Sequence, residues 1–235
     1  MARQDRFSAS IAKFGRSILI LRDAGNISEQ CVLVPNNSAS NAFLREYQKN
    51  AYFKYDSAIV DGDIFQDLLT LERYLVVICN FVGEDIVKDA QGASVYKCND
   101  QVTLYSLTEA IENPFGKKSY TWASKLVDYA LAYSSGYARG DITTPIGELT
   151  LDKIVVNFSM RKLAGYVPKA GDRIILLDGT MLQIDGLDPY LYRSSYEIVC
   201  SLDQRISSTS SYFSYLLLED GSNVLLGDGT QILLE

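Results

Sequence analysis

Alternating apolar and polar positions in the C-terminal half of the chain predict β-strands. Asp178-Gly179 stands between two short apolar runs, and Asp-Gly supplies the positive φ angles that a tight hairpin turn requires. Residues 185–189 contain one Gly and one Pro and predict a second, wider turn. Apolar side chains then fill every second position of residues 196–202, which is typical of a strand with one buried face. These features predict a small antiparallel β unit over residues 141–205.

The N-terminal half has a similar pattern, which predicts a first β unit over residues 14–107. Runs rich in Val, Ile and Tyr alternate with turns that contain Gly and Asp. Gly62-Asp63 and Gly171-Asp172, 109 positions apart, each precede an apolar run, a strand, a loop and a further strand. This internal echo indicates either a duplicated unit or a chance match. Residues 1–13 are expected to form a polar arm, and residues 42–49 a short helix.

Between the two units, helical spacing replaces the β pattern and predicts a helical insert over residues 108–140. Five apolar residues there fall on one face of a helix with 3.6 residues per turn. Core packing is the simpler explanation of this stripe, and a face for a partner is the alternative. The five residues are Trp122, Leu126, Tyr129, Ala130 and Tyr133.

The last segment, residues 206–235, combines a Ser/Thr-rich linker with three apolar clusters separated by Asp-Gly turns. The pattern predicts a short C-terminal β meander, which is too small to be stable alone in water. We therefore predict that its apolar residues form a subunit interface. These residues are Leu216, Leu217, Leu218, Val224, Leu225, Leu226, Ile232, Leu233 and Leu234.

The predicted fold class is therefore mainly β. It consists of two small antiparallel β-barrel or sandwich units joined by a helical insert, followed by the C-terminal meander. Composition agrees with this class, since 47% of the 235 residues are hydrophobic and 16 are Tyr. The formal net charge of −7 argues against broad binding to nucleic acid or to an anionic membrane, because both need a basic face.

Cysteine usage and terminal sequence indicate a protein of a reducing cytoplasm. Cys31, Cys79, Cys98 and Cys200 show no CxxC spacing, so buried reduced thiols are expected rather than a zinc site. The N-terminus is polar rather than a secretory signal, and no apolar run approaches the roughly 20 residues that span a bilayer. No membrane association is expected.

Candidate chemistry is sparse, and we predict no enzyme, no catalytic residue, no cofactor and no metal. The chain has no histidine, which excludes Ser-His and Cys-His arrangements, and it has no phosphate-binding GxxxxGK[ST] loop. A hydrolase with paired carboxylates is conceivable, but most carboxylates stand in turns, where Asp is favoured for backbone hydrogen bonding. These are Asp61, Asp63, Glu84, Asp85, Asp89, Asp178, Asp185, Asp188, Asp220 and Asp228.

A resemblance to a known family rests on the second half of the chain. Gly171-Asp172-Arg173 enters a strand pair, Asp188-Pro189-Tyr190 follows, and residues 196–202 form a closing strand. Phe14-Gly15-Arg16 and Gly62-Asp63 repeat parts of this pattern in the first half. In these motifs the chain resembles the small neck proteins of tailed bacteriophages, which are the head-completion, stopper or head–tail joining proteins.

This resemblance implies a structural virion protein that forms a homo-oligomeric ring. Its partners would be the portal or adaptor and the tail proteins of the same virion, which is assembled in the host cytoplasm. DNA would pass through the lumen without specific binding, and an acidic protein fits a pore that must not retain DNA. The alternative from another class is a β-rich binding module, such as a carbohydrate-recognising or adhesive domain.

Overall fold

The fold is mainly β, which confirms the predicted class, and it contains two closed six-stranded barrels. The computed structural model describes residues 3–36, 42–82, 89–112, 118–134, 153–163, 165–188, 194–205, 214–215 and 233–234. Contacts divide the chain into two units. The first comprises residues 1–106 and 123–204 and holds most of both barrels, and the second comprises residues 107–122 and 205–235.

Barrel 1 is closed by antiparallel pairing in the order β1-β2-β3-β6-β5-β4, with β4 returning to β1. Its core combines aliphatic side chains with three aromatic rings: Phe65 stacks on Tyr74 with ring centroids 5.3 Å apart and meets Phe53 edge-on at 5.8 Å. The strands are β1 (Arg16–Leu21), β2 (Ile27–Pro35), β3 (Gln48–Lys54), β4 (Ile64–Asp67), β5 (Arg73–Val82) and β6 (Ala90–Cys98).

Barrel 2 is closed in the order β7-β8-β9-β12-β11-β10, with β10 returning to β7. Its core is mainly aliphatic and includes Phe158, which meets Tyr196 edge-on at 6.2 Å. The strands are β7 (Asp100–Glu112), β8 (Lys118–Ser134), β9 (Ile154–Ser159), β10 (Arg173–Leu176), β11 (Met181–Asp188) and β12 (Ser195–Leu202). A 3-10 turn, Arg161–Leu163, follows β9.

The two barrels have the same strand order, so β1 to β6 correspond one by one to β7 to β12. The internal echo of the sequence lies on corresponding strands, because Gly62-Asp63 precedes β4 and Gly171-Asp172 precedes β10. Pairing also shifts at one corresponding place, with Val77 between the paired residues of β5 and Asp185 between those of β11. The echo therefore coincides with a repeated β-bulge.

The predicted helical insert is wrong, because residues 118–134 form the long strand β8 and residues 108–112 end β7. Leu126, Ala130 and Ala132 contribute to the barrel core, so the side chains alternate between two faces. Apolar residues four apart satisfy both a helix and a strand, and pairing with β9 decides for the strand. The second barrel accordingly begins at β7, directly after barrel 1, and not at residue 141. Residues 135–152 lie outside the described part.

Two helices accompany barrel 1. The segment expected to be a polar arm is helix α1 (Arg3–Phe14), and the expected short helix is α2 (Ala42–Tyr47). Helix α1 contacts β2, β3 and β6, with the Phe7 ring 6.5 Å from that of Tyr52 and with Ile11 buried. Its few apolar residues are spaced three or four apart, which is the helical signal that a polar composition obscured.

The second unit contains the tip of the β7–β8 hairpin and the chain end. The hydroxyl of Thr108 donates to the carbonyl oxygen of Thr121 at 2.8 Å, and the guanidinium of Arg205 lies 4.7 Å from the ring centroid of Trp122. Strand β13 (Ser214–Tyr215) pairs with β14 (Leu233–Leu234). Two predicted interface residues thus lie in β14. The others lie outside the described residues: Leu216, Leu217, Leu218, Val224, Leu225, Leu226 and Ile232.

Candidate functional site

One Gly-Asp turn recurs in both barrels with the same hydrogen bonds. In barrel 1, Gly62 has a φ of 79°. Its N–H donates to the carbonyl oxygen of Val76 at 2.7 Å, and the N–H of Val76 donates to the carbonyl oxygen of Asp63 at 2.8 Å. The Asp63 carboxylate also accepts the N–H of Val60 at 3.0 Å. A Gly is required here because the left-handed backbone is costly for other residues.

In barrel 2 the corresponding bonds are made by Gly171 and Asp172. Gly171 has a φ of 93°. Its N–H donates to the carbonyl oxygen of Ile184 at 2.8 Å, and the N–H of Ile184 donates to the carbonyl oxygen of Asp172 at 2.8 Å. The Asp172 carboxylate accepts the N–H of Lys169 at 2.8 Å. The turn is therefore a structural signature of each barrel, and Asp is required for its carboxylate.

The carboxylate of Asp63 also joins the two barrels through arginines from each of them. Arg22, which follows β1, donates from Nε to Oδ1 at 3.2 Å and from Nη2 to Oδ2 at 2.5 Å, and the hydrogen bond raises the pKa of Arg22. Nη1 of Arg161, from the 3-10 turn of barrel 2, donates to Oδ1. The side chain of Asp63 is only 2% exposed. The two arginines compensate its negative charge, which would otherwise be costly to bury.

A cavity of about 230 Å³ lies beside this ion pair and is lined by both barrels. Asp128 of β8 lines it with a side chain that is 1% exposed, and Nζ of Lys162 lies 3.3 Å from its Oδ1. Burial raises the pKa of Asp128, and the positive charge of Lys162 opposes this shift. Arg161 and Lys162 are adjacent in the sequence, and both side chains bind carboxylates in this cluster.

Further contacts between the barrels are partly apolar. Val77, Tyr96 and Leu131 form one buried cluster, and the guanidinium of Arg73 lies 4.0 Å from the ring centroid of Tyr129. The hydroxyl of Ser159 donates to the carbonyl oxygen of Gly62 at 2.6 Å, and that of Ser194 to the carbonyl oxygen of Val77 at 3.3 Å. Barrel 2 thus packs on barrel 1 with β8, β9 and the start of β12.

The four cysteines are free thiols in the described chain, and burial suppresses their reactivity. Burial raises the pKa of Cys31 and of Cys200 to about 12 and that of Cys79 to about 11, and it also raises the pKa of Cys98. A thiol is a nucleophile only as the thiolate. These side chains are therefore poor nucleophiles at neutral pH.

Several predicted turn carboxylates bind backbone N–H groups. Asp61 accepts the N–H of Cys79, and Asp178 accepts that of Thr180 at 2.8 Å, which lowers the pKa of Asp178. Asp185 is not in a turn: it lies at the bulge of β11 and accepts hydrogen bonds from Lys153 at 2.6 Å and Ser201 at 2.9 Å.

The other predicted carboxylates divide by position. Asp89 is buried just before β6, and Asp188 ends β11 rather than standing in a wide turn. Within the described ranges, no group of three or more His, Cys, Asp or Glu side chains is placed to hold a metal ion. In the same ranges no helix is long and apolar enough to cross a membrane. Four carboxylates lie outside those ranges: Glu84, Asp85, Asp220 and Asp228.

Known proteins give little further guidance. No family model and no curated protein matches the chain. A solved structure of protein SF1141 from Shigella flexneri 2a matches at 21% identity over 46% of this chain and 96% of its own, with a TM-score of 0.31. The structure of K. pneumonia MrkH in its apo state matches at 10% identity over 86% of this chain and 84% of its own, with a TM-score of 0.20. The MrkH–c-di-GMP complex matches at 13% identity over 87% and 85%, also with a TM-score of 0.20. Similarity this low supports no conclusion about fold or function.

Proposed function

We propose that the chain is a non-enzymatic structural subunit of a tailed-bacteriophage virion, where it forms a neck ring between portal and tail. The observation that carries this proposal is the repeated Gly-Asp turn followed by a strand pair and a closing strand. The resemblance to neck proteins rests on this pattern, and these three parts of it occur in both barrels, as β4–β6 and as β10–β12. The Asp188-Pro189-Tyr190 step occurs only in the second half.

The packing of the barrels supports a structural role. Fully buried aromatic and aliphatic side chains fill both interiors, including Phe53, Phe65 and Tyr74 in barrel 1 and Leu104, Phe158 and Ile174 in barrel 2. Because side chains fill the interior of such small barrels, these barrels present an outer surface to partners rather than enclosing a ligand. Of the carboxylates that the sequence singles out, the structure describes six, and four of these, Asp61, Asp63, Asp178 and Asp185, bind backbone N–H groups or basic side chains. These four stabilise turns, a bulge and the contact between the barrels.

Charge supports the proposed environment of the ring. The net charge of −7 would repel DNA from a lumen that it must traverse without binding. The partners are then other copies of the chain and the portal, adaptor and tail proteins of the same virion.

Mass photometry of the full-length chain, alone and mixed with its portal at micromolar concentration, tests the proposal. We expect a species with the mass of a closed ring of copies, alone or on the portal. The double variant Asp178→Asn, Asp188→Asn is the control and should assemble equally, because neither residue belongs to the predicted subunit interface. A strictly monomeric chain that never co-migrates with the portal would contradict the proposed ring. Binding of that monomer to glycans on an array would favour the alternative, a carbohydrate-recognising or adhesive domain.

A further inference from the structure

The turn between β4 and β5 presents three leucines at one end of barrel 1. Leu68, Leu69 and Leu71 are 45%, 78% and 64% exposed. Phe14, 70% exposed, lies just before β1, where the carbonyl oxygen of Ser17 accepts the N–H of Leu68 at 3.0 Å. We call Phe14, Leu68, Leu69 and Leu71 the leucine patch. Neighbouring exposed apolar side chains of this kind mark a binding surface.

Polar groups of barrel 1 hold this turn in one conformation. Oδ1 of Asp67 accepts the N–H of Leu69 at 2.8 Å, the carbonyl oxygen of Asp67 accepts that of Leu71 at 2.8 Å, and the side chain of Gln66 donates to the carbonyl oxygen of Leu71 at 3.2 Å. Burial acts to raise the pKa of Asp67, but the hydrogen bonds from Arg16 and the backbone lower it overall. Its carboxylate therefore stays charged and keeps these bonds.

The turn also contains backbone strain. Leu71 has a φ of 62°, a left-handed conformation that is unfavourable for a residue with a Cβ atom. The corresponding turn of barrel 2 places Gly179 at a φ of 87° and exposes one large apolar residue, Leu177. Strain that the surroundings enforce is typical of functional positions. The turn of barrel 1 thus holds a leucine in a backbone region that the corresponding turn of barrel 2 gives to a glycine.

The sequence of the chain contains a segment with complementary chemistry. Residues 206–235 carry three leucine-rich clusters and four carboxylates, Glu219, Asp220, Asp228 and Glu235, with no Lys or Arg. Lys13 flanks the leucine patch, with its Nζ 5.1 Å from the ring centroid of Phe14, whereas Arg16, 44% exposed, is already paired with Asp67. The apolar side chains of the patch and the positive charge of Lys13 are thus complementary to this segment.

We propose that the leucine patch binds the leucine-rich, acidic C-terminal segment, residues 215–235, of a second copy of the chain. This inference rests on the proposed ring, because a contact between two different surfaces is the kind that repeats around a closed ring. The rigid turn would lower the ordering cost of such binding.

Photo-crosslinking of the full-length chain tests the partner. A chain labelled with heavy isotopes and carrying a photoreactive amino acid in place of Leu69 is mixed with unlabelled chain, alone and with portal. We expect crosslinks from position 69 of the heavy chain to residues 215–235 of the light chain. Crosslinks confined to the same heavy chain, or to any other part of the light chain, would overturn the proposal.

A matched pair of variants tests the contribution to assembly. Leu69→Asp should weaken assembly about tenfold or more, as expected for a central apolar contact. Leu177→Asp, at the corresponding turn of barrel 2 and 74% exposed, should leave assembly unchanged. Circular dichroism should show both variants folded, because both side chains are exposed.

The outcomes separate this inference from the proposed function. Rings that form equally well with Leu69→Asp overturn the leucine patch as the binding site and leave the ring function standing. A wild-type chain that never assembles, even on its portal, overturns both.

Discussion

The two barrels share a strand order and a turn, yet their outer faces differ because different elements cover them. Barrel 2 uses β8, β9 and β12 to pack on barrel 1, whereas the corresponding strands of barrel 1, β2, β3 and β6, contact helix α1. In barrel 1, helix α1 thus covers the face that corresponds to the one by which barrel 2 packs on barrel 1.

The opposite faces differ in the same way. Barrel 1 buries Ile64, Leu75 and Val77 where β4 and β5 meet barrel 2. The shared hydrogen bonds align these positions with Arg173, Gln183 and Asp185 in barrel 2. Arg173 is buried in an ion pair with Asp203, and Asp185 is exposed. The side chains that point into the interior are apolar in both barrels, whereas the polarity of those that point outward depends on what each face contacts.

Exchanging the bulge residues should give the largest difference between the barrels. Val77→Asp buries an unpaired carboxylate between the barrels and should lower the free energy of unfolding by about 3–5 kcal/mol. Asp185→Val removes a partly exposed ion pair with Lys153 and an exposed hydrogen bond from Ser201, and it should lower the free energy of unfolding by only about 1 kcal/mol. Urea denaturation of both variants measures the difference. Equal effects would show that the two faces are not distinguished by burial.

Removing the turn carboxylates should have a smaller, still unequal effect. Asp63→Asn weakens hydrogen bonds from Arg22 and Arg161 and should cost about 2–3 kcal/mol, a value reduced because both arginines are partly exposed. Asp172→Asn, where the carboxylate accepts from Tyr166 at 2.6 Å and from Lys169, should cost about 1 kcal/mol. Denaturation midpoints compare the two, and a larger loss from Asp172→Asn would refute the role of Asp63 between the barrels.

The pH dependence of stability should have opposite signs in the two barrels. Hydrogen bonds from Lys97 and Tyr74 lower the pKa of Glu72 in barrel 1 to about 2, below its ordinary 4.5. Glu72 therefore stabilises the fold above about pH 4.5, and this contribution is lost as the pH falls toward 2. Burial raises the pKa of Asp128 in barrel 2 above its ordinary 3.8, so stability falls as the pH rises through the raised pKa.

Thermal melts between pH 2 and 8 separate these two carboxyl groups. Glu72→Gln should flatten the loss of stability on the acid side. Asp128→Asn should raise stability at neutral pH and remove the fall above pH 3.8. An Asp128→Asn variant that is less stable at pH 7 would contradict the destabilising effect of its buried charge.

The smallest effect on stability is expected from removing the C-terminal segment. Deletion of residues 206–235 should shift the melting temperature by no more than about 2 °C, because the segment is not needed for either barrel core. Ring formation should be lost. A truncated chain that is clearly less stable and still forms rings would contradict this role.

Much of the architecture follows from local patterns in the sequence. The two β units, the turn at Asp178-Gly179 and the echo of Gly62-Asp63 in Gly171-Asp172 depend on φ angles and on alternation, which are local properties. Strand β8 was misassigned because apolar residues four apart suit both periods, and its pairing with β9 is not a local property.

The contacts between the barrels were harder to predict. Arg22 and Arg161 are separated by 139 positions and meet at one carboxylate only because the barrels pack together. An Asp at position 128 inside an apolar strand was the one local signal of this cluster, since a buried charge needs a partner. The exposure of Leu68, Leu69 and Leu71 could not be predicted, because the sequence does not show that this turn points outward.

Cryo-electron microscopy of the wild-type chain bound to its portal, or of purified virions, tests the central claim most directly. We predict a closed ring between portal and tail, in which each subunit contributes two six-stranded barrels and the C-terminal segment of one copy lies on the leucine patch of the next. A chain absent from the particle, or present there only as isolated monomers away from the DNA channel, would contradict it.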